Sequence, residues 1–331
     1  MSQAVAPMIA MQGLVRSFPS HRHDGQWVRA VDGLDLTVQH GETFGLLGAD
    51  GAGKTTTLRL LNGLLRPDAG TMRVAGLDPT RIAECRRIHA RAGYMPQQFA
   101  LYGDLSVWDN LDFAAEVYGL TRAQKAERIP RLLHFARLDG LKERPGAQLS
   151  GGMKKKLALA CMLVHEPEVI FLDEPTLGVD PVSRREFWNL LSDLRAEKGV
   201  TLFVCTPYMD EAERCHRVGL LYEGRLIACD TPQAIRRRVP GELLEVRCAD
   251  VYAAQTGVRG LEGVLEVQTY GDLLHVFVDS AQARAAQLQA ALLAQGIPVS
   301  GVRTVEARME EAFVSLIRRE GARGGGEEAG A

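Results

Sequence analysis

The residue types best suited to chemistry lie between Gly48 and Thr56, in the run GADGAGKTT. Gly48 to Thr55 fits the phosphate-loop spacing G-x-x-x-x-G-K-[ST]. Gly48, Gly51 and Gly53 let the backbone turn tightly, so that the loop, with Ala49, Asp50 and Ala52 between them, can present N–H groups to phosphate oxygens. Lys54 can reach the β- and γ-phosphates, and the Thr55 hydroxyl can ligate Mg²⁺. A helix starting here adds its positive dipole end. Asp173-Glu174 is the second candidate, at the end of the apolar run Val169 to Leu172. Acidic residues at the C-terminal end of a parallel strand, beside a phosphate loop, are where Mg²⁺ and an attacking water are handled. The two features together point to a nucleotide site.

These residues need elements to hold them. Thr43 to Leu47 reads as a buried strand, and Leu58 to Leu65 continues at helical spacing. Residues 8–18 and 27–40 alternate as strands, with Ile9, Met11 and Leu14, then Val31, Leu34, Leu36 and Val38 as the apolar set. The polar insert between them holds His21 and His23, which without further ligands read as a solvated loop rather than a metal site. A strand at 71–75, a helix at 82–89 and a strand at 92–95 lead to the loop Pro96-Gln97-Gln98. Residues 99–165 read as helical. Ser106 with Asp109 resembles an N-cap pair, and Thr121 to Leu138 is amphipathic. Leu149-Ser150-Gly151-Gly152 opens a helix over 153–164. Lys154, Lys155 and Lys156 sit on its first turn, where the macrodipole disfavours cations, and read by default as a solvated face. Helix 181–198, strand 200–205, Thr206-Pro207-Tyr208, helix 209–215 and strands 218–222 and 225–228 follow.

The pattern changes near residue 240. Arg236 to Gly241 reads as a helix end and linker, with the three arginines weighed as an anionic-lipid contact and set below a plain helix end. The first domain is therefore expected at 1–239 and a second at 240–319. The second's order of strand, helix, two strands, helix, strand and helix suggests a ferredoxin-like α+β unit. The tail 320–331, rich in Gly, Glu and Ala, is expected to be disordered.

The chain has 331 residues, enough for two domains. Its 39 Lys+Arg against 41 Asp+Glu give a net charge of -2, which does not support nucleic acid as the main partner. No run of 18 apolar residues occurs, so no membrane crossing is expected, and the N-terminus does not read as a signal peptide. The 6 cysteines form no C-x-x-C and no disulfide spacing, which points to a reducing compartment, the cytoplasm.

In this order the motifs resemble the ATP-binding subunit of an ABC transporter, over about residues 8–235. Gly48 to Thr56 corresponds to the Walker A motif, Gln97 to the Q-loop, and Leu149 to Met153 to the ABC signature. Val169 to Glu174 resembles Walker B with its catalytic glutamate, and Leu177 to Asp180 the D-loop. Phe18 falls where the family stacks adenine. The resemblance implies a P-loop α/β fold, a mixed sheet core with a helical subdomain, and ATP with Mg²⁺ as ligands. It implies that Asp173 and Gln97, with Thr55, serve the metal, and that Glu174 and Gln97 are catalytic, Glu174 polarising the attacking water and Gln97 sensing the γ-phosphate and tying the helical subdomain to the nucleotide. Ser150, Gly151 and Gly152 would grip the nucleotide of a second ATP-binding subunit. SGGMKKKL, the segment 208–213 and the 309–313 region look most like ABC-2-type exporters of drugs or other hydrophobic compounds. ABC-2-type permease subunits are then the expected partners, and the chain is expected at the cytoplasmic face of the plasma (inner) membrane, peripheral and in contact with it through them.

Three features depart from the family pattern. Ala49-Asp50 replaces Pro-Asn and brings an acid near the phosphates. Met153 replaces a glutamine, as is common in this branch. Pro207 stands where the family carries its switch histidine, and proline offers neither a side-chain donor nor an N–H. His216 lies nine residues further on and is not expected to substitute. A slow site of its own follows, with an unlike partner ATPase ahead of a homodimer. The competing reading is a regulatory module that uses ATP as a dimer clamp. A DNA-repair or translation ATPase is disfavoured by the single ATPase domain without a coiled-coil insertion, and a small GTPase by the lack of N-K-x-D.

Overall fold

A computed structural model describes residues 6–20, 26–98 and 101–327, the segment 322–327 by its backbone. His21 and His23 therefore lie outside the described residues, as do residues 99 and 100 at the expected start of the helical region. The chain forms two compact units, Met1–Cys229 and Asp230–Ala331.

In the first unit the order is β1 (Ile9–Pro19), β2 (Trp27–Val38), β3 (Thr43–Leu47), α1 (Lys54–Leu61), β4 (Ala69–Val74), α2 (Ile82–His89) and β5 (Ala92–Met95). Then come α3 (Val107–Val117), α4 (Arg122–Phe135), α5 (Gly151–Leu163), β6 (Val169–Asp173), α6 (Pro181–Lys198), β7 (Thr201–Thr206), α7 (Met209–Ala212), β8 (Arg217–Tyr222) and β9 (Arg225–Asp230). Six strands form one sheet in the order β5-β6-β7-β3-β8-β9. The pairs β5–β6, β6–β7, β7–β3 and β3–β8 are parallel. Every residue of β3, β6 and β7 is buried. Burial on both faces is why these strands read as unbroken apolar runs instead of alternating ones. A second sheet, β2-β1-β4, is antiparallel. Helix α1 packs against both sheets, within a core that includes Ile9, Leu34, Phe44, Leu58 and Phe171.

Register in the large sheet is held by three phenylalanines. Phe44, Phe203 and Phe171 lie abreast on β3, β7 and β6. Their ring centroids are 5.5 Å and 6.1 Å apart. Such aromatic pairs contribute about 0.5–1.5 kcal/mol each beyond burial. A one-residue slip would break this row and misalign the strand ends.

Helices α3, α4 and α5 share their own core, built on Val107, Leu111, Ile129, Leu133 and Leu157. Capping boxes at Ser106/Asp109 and Thr121/Gln124 start α3 and α4. Each such cap contributes about 1 kcal/mol by satisfying orphan N–H groups.

The second unit holds α8 (Pro232–Arg236), β10 (Glu242–Cys248), α9 (Val251–Val258), β11 (Val264–Tyr270), β12 (Leu273–Val278), α10 (Ala281–Ala294), β13 (Val299–Val305) and α11 (Met309–Glu327). Its sheet runs β11-β12-β10-β13, all antiparallel. Each of α9 and α10 thus connects two strands that flank a third, the ferredoxin-like arrangement read from the element order. Leu244, Val246, Val276 and Leu288 belong to its core.

Two boundaries need correction. The units divide at Cys229/Asp230, not at 239/240. Arg236, read as a helix end, does end α8, but that helix belongs to the second unit: its Ile235 is buried and it packs against α11. Arg319 also donates to the Arg238 carbonyl at 3.0 Å. The tail expected to be disordered from 320 is helical through Glu327, while 328–331 lie outside the described residues. Once nucleated, a helix gains one bond per added residue, which lets α11 continue into glycines that disfavour it.

Candidate active site

The register puts four segments side by side. Leu47 pairs with Thr206, Asp173 with Cys205, and Met95 with Leu172. The phosphate loop, Pro207, Glu174 and Pro96-Gln97 therefore leave neighbouring strand ends on one edge of the sheet. Carboxyl ends of parallel strands are where open α/β sheets take ligands.

The loop is held against its surroundings by glycine. Gly53 has φ 108°, and a Cβ there would lie 2.0 Å from the Ala30 carbonyl oxygen. Only glycine fits that conformation and that approach. Lys54 is 4% exposed. Its Nζ donates to the Gly48 and Ala49 carbonyls at 2.8 and 3.0 Å and lies 3.6 Å from Glu174 Oε1. The Asp50 carboxylate is 4.0 Å from Lys54 Nζ, on a side chain turned almost wholly to solvent.

Thr55 Oγ1 donates to Asp173 Oδ1 at 3.1 Å. Burial pushes the Asp173 carboxyl above the ordinary aspartate range; the Thr55 hydroxyl partly offsets this, and the nearby Glu174 charge adds to it. Glu174 has φ 48°, unusual for a residue with a side chain. Its N–H donates to the Cys205 carbonyl at 2.9 Å, and its Oε2 accepts from Gln97 Nε2 at 2.9 Å. A cavity of about 260 Å³ is lined by Asp50, Gly51 and Gly53 to Thr56 of the loop, together with Ala30, Gln97 and Glu174.

These residues fit a nucleotide triphosphate and Mg²⁺. The glycine cradle allows close backbone approach, and the buried Lys54 ammonium is the cation that phosphate oxygens need. One carboxylate and one hydroxyl, Asp173 and Thr55, are a donor set suited to Mg²⁺, which takes few protein oxygens and completes its shell with phosphate and water.

The remaining sequence candidates lie elsewhere. Ser150 caps α5, accepting from Met153 N at 3.3 Å, and Gly151 is exposed. Gly152 is buried where a Cβ would meet Ser183 at 2.5 Å, so it lets α5 approach α6. Leu149 is buried beside the helical core. None of these four lines the phosphate cavity. Asp180 caps α6, its Oδ1 accepting from Val182 N at 3.1 Å and Ser183 N at 2.9 Å. Phe18 pairs with Val28, two residues from the Ala30 that abuts Gly53, and the Arg16 guanidinium lies 4.8 Å from its ring centroid.

The three lysines on α5 do not form one solvated face. Lys156 is buried in an ion pair with Glu186, Lys155 is half-buried, and Lys154 is exposed. His216 is far from the loop: its Nδ1 accepts from Thr43 N at 2.9 Å, at the opposite end of β3. Four residue steps of about 3.3 Å separate the two ends of that strand. Sequence reasoning missed Ala30, which carries no signal of its own. It also missed Lys155, whose placement against the helix dipole was one.

The family profile described as ABC transporter matches residues 31–177. The probable multidrug ABC transporter ATP-binding protein YbhF of Escherichia coli (strain K12) is 45% identical over 234 residues, 71% of this chain. The chain spans 39% of that relative's length. The Nod factor export ATP-binding protein I of Paraburkholderia xenovorans (strain LB400) is 42% identical over 261 residues, covering 78% of this chain and 84% of the relative. The chain belongs to the ABC transporter ATP-binding proteins. CbiO1 from Clostridium perfringens, part of the ABC transporter complex cbiONQ, superposes with a TM-score of 0.62 at 27% identity, over 71% of this chain and 92% of that one. As an ABC ATP-binding protein the chain has the family's P-loop α/β fold, and its phosphate loop and Asp173-Glu174 edge lie within the matched residues. No helix among the described residues is long and apolar enough to cross a membrane.

Proposed function

We propose that this chain is an ATP-hydrolysing subunit of an ABC-2-type exporter, powering efflux of a drug or other hydrophobic compound through separate permease subunits. The observation that carries the reading is the meeting of Lys54, Thr55–Asp173 and Gln97–Glu174 at one cavity. The multidrug and Nod-factor-export names of the relatives support the export direction. The permeases would hold the chain at the cytoplasmic face of the inner membrane.

Each residue has a task. Lys54 exchanges its Glu174 contact for phosphate oxygens, which leaves Glu174 able to orient and polarise a water. Gln97 holds the second oxygen of that carboxylate in place. Thr55 and Asp173 hold Mg²⁺, which neutralises charge building on the phosphates when bound. Phe18 offers its ring to the adenine. Leu149 to Gly152, with Asp180, serve the site of the facing subunit, consistent with their lying outside this chain's own cavity.

Pro207 sets the rate. It follows Thr206, whose neighbour across the sheet is Leu47, so this position adjoins the loop. Without a side-chain donor there, the transition state loses about 3 kcal/mol, by analogy with a missing oxyanion donor. A heterodimer in which the partner carries the switch histidine accommodates such a site, and the clamp reading, with little turnover, draws on the same proline. Pro207→His is expected to raise kcat of the purified chain about 100-fold. An unchanged rate would refute the slow-site reading. Mg²⁺-dependent turnover measured with and without a second ATPase subunit separates motor from clamp.

A further inference from the structure

Three consecutive lysines at the start of a helix oppose its dipole, and each needs a reason to be there. Lys156 has one in Glu186. Lys154 remains in solvent. Lys155 is half-buried, and its Nζ donates to the Gln97 carbonyl at 3.3 Å. Gln97 in turn donates its side-chain amide to Glu174 Oε2 at 2.9 Å. The two ends of one glutamine are thus held by α5 and by the proposed hydrolytic carboxylate.

We propose that Lys155 is a positioning residue for hydrolysis, fixing the Gln97 backbone so that its amide reaches Glu174. The inference rests on the reading that this chain hydrolyses ATP at its own loop. Lys155 acts through Gln97, while its charge also acts on Glu174. Burial pushes the Lys155 ammonium below the ordinary lysine range, and the Glu174 charge opposes that. Lys54 lies 3.6 Å from the other Glu174 oxygen, so cations act on this carboxylate from the loop and from α5. That arrangement matters more here because Pro207 adds no donor at the adjacent strand end. Because α5 opens with Ser150 to Gly152, the same helix that offers an anion site outward also holds Gln97 inward.

In the full-length chain, Lys155→Ala is expected to lower kcat about tenfold, the loss of one charge-assisted bond, with KM for MgATP within about twofold. Lys155→Arg is expected to restore most of the rate, because a guanidinium keeps both the charge and the donor. A lysine that only supported the fold would not give this split. The Gln97 side-chain amide supplies a readout that needs no turnover, because it is the group donated to Glu174. By NMR its NH2 signals should shift in Lys155→Ala and stay in place in Lys155→Arg. Unchanged kcat in Lys155→Ala, or an equal loss in both variants, overturns the proposal. If the wild-type chain shows no turnover, the hydrolysis reading fails by itself. The Gln97 side-chain NH2 signals then decide the role of Lys155: a shift in the alanine variant alone supports it, and no difference overturns it.

Discussion

Both units bury charge, but for different neighbours. In the first, Lys54, Asp173 and Glu174 are buried at the sheet edge, and Lys54 and Glu174 line a cavity. In the second, Glu245, His275 and Glu311 are buried as deeply. Glu245 is gripped by Arg303 Nε and Nη2 at 2.8 and 3.0 Å. Glu311 lies 3.1 Å from His275 Nδ1 and accepts from the Arg308 N–H at 2.7 Å. Around them, Ser315 donates to Glu266 at 2.6 Å and Gln268 donates to the Glu311 carbonyl at 3.3 Å, fastening α11 to the sheet. Buried charge that faces its own fold holds an element in place. Buried charge that borders a cavity is kept for a ligand, and stability gains little from it.

The sharpest test of this contrast removes charge at the cavity. Glu174→Gln keeps the shape and the acceptor for Gln97 but not the charge that polarises water. Its kcat is expected to fall about 1,000-fold, at the upper end of losses for one electrostatic group, with MgATP binding retained. Thermal unfolding should change little, because the carboxylate is no longer desolvated while Lys54 loses the partner at 3.6 Å and keeps its bonds to the Gly48 and Ala49 carbonyls. A clear drop in melting temperature would mean that the edge is structural after all.

The opposite outcome is expected in the second unit. Glu311→Ala removes the nearer of the two carboxylates at His275, leaving Glu245 at 3.9 Å, and leaves the Arg308 N–H without its acceptor. Breaking a buried pair costs about 3 kcal/mol. Urea unfolding should show that loss, with the ATPase rate per folded molecule within about twofold of wild type. A tenfold loss of rate in a fully folded variant would break the comparison.

The two clusters were not equally legible in the sequence. Strand ends, helix caps and the phosphate loop are encoded by local spacing, which is why Thr43–Leu47, Ile82–His89 and Pro181–Lys198 coincide with the expected segments. Glu174 was legible from its place at a strand end and Gln97 from the family resemblance, but not their hydrogen bond, which joins loops from two different strands. The His275–Glu311 pair was not, since it joins β12 to α11 and no spacing rule links residues so far apart in the chain. Lys155 was visible as an oddity, yet its partner is a backbone carbonyl, which a sequence does not display. The unit boundary was misread for a related reason: the helix ending at Arg236 belongs to the second unit through its packing on α11, a contact that the sequence does not display.

Acid separates the clusters by sign. For Glu311, burial alone would raise the carboxyl, but His275 and the Glu311 and Arg308 backbone N–H groups outweigh it and hold it below the ordinary value of 4.5. A lowered carboxyl contributes stability above its unfolded value and loses it as pH falls through the native one. Asp173 is the reverse: burial, aided by Glu174 and only partly offset by Thr55, raises it above 3.8, so its ionised form costs stability at neutral pH. Glu311→Gln should therefore be less stable than wild type at pH 7, and Asp173→Asn more stable. Both differences should shrink in acid, the Glu311→Gln deficit below about pH 4.5 and the Asp173→Asn gain as pH falls through the raised native value towards 3.8. Urea unfolding of the three proteins over that range, without nucleotide or Mg²⁺, measures both signs. An Asp173→Asn variant weaker than wild type at pH 7 would show that this carboxylate supports the fold before any ligand arrives, and would remove the distinction between the two clusters.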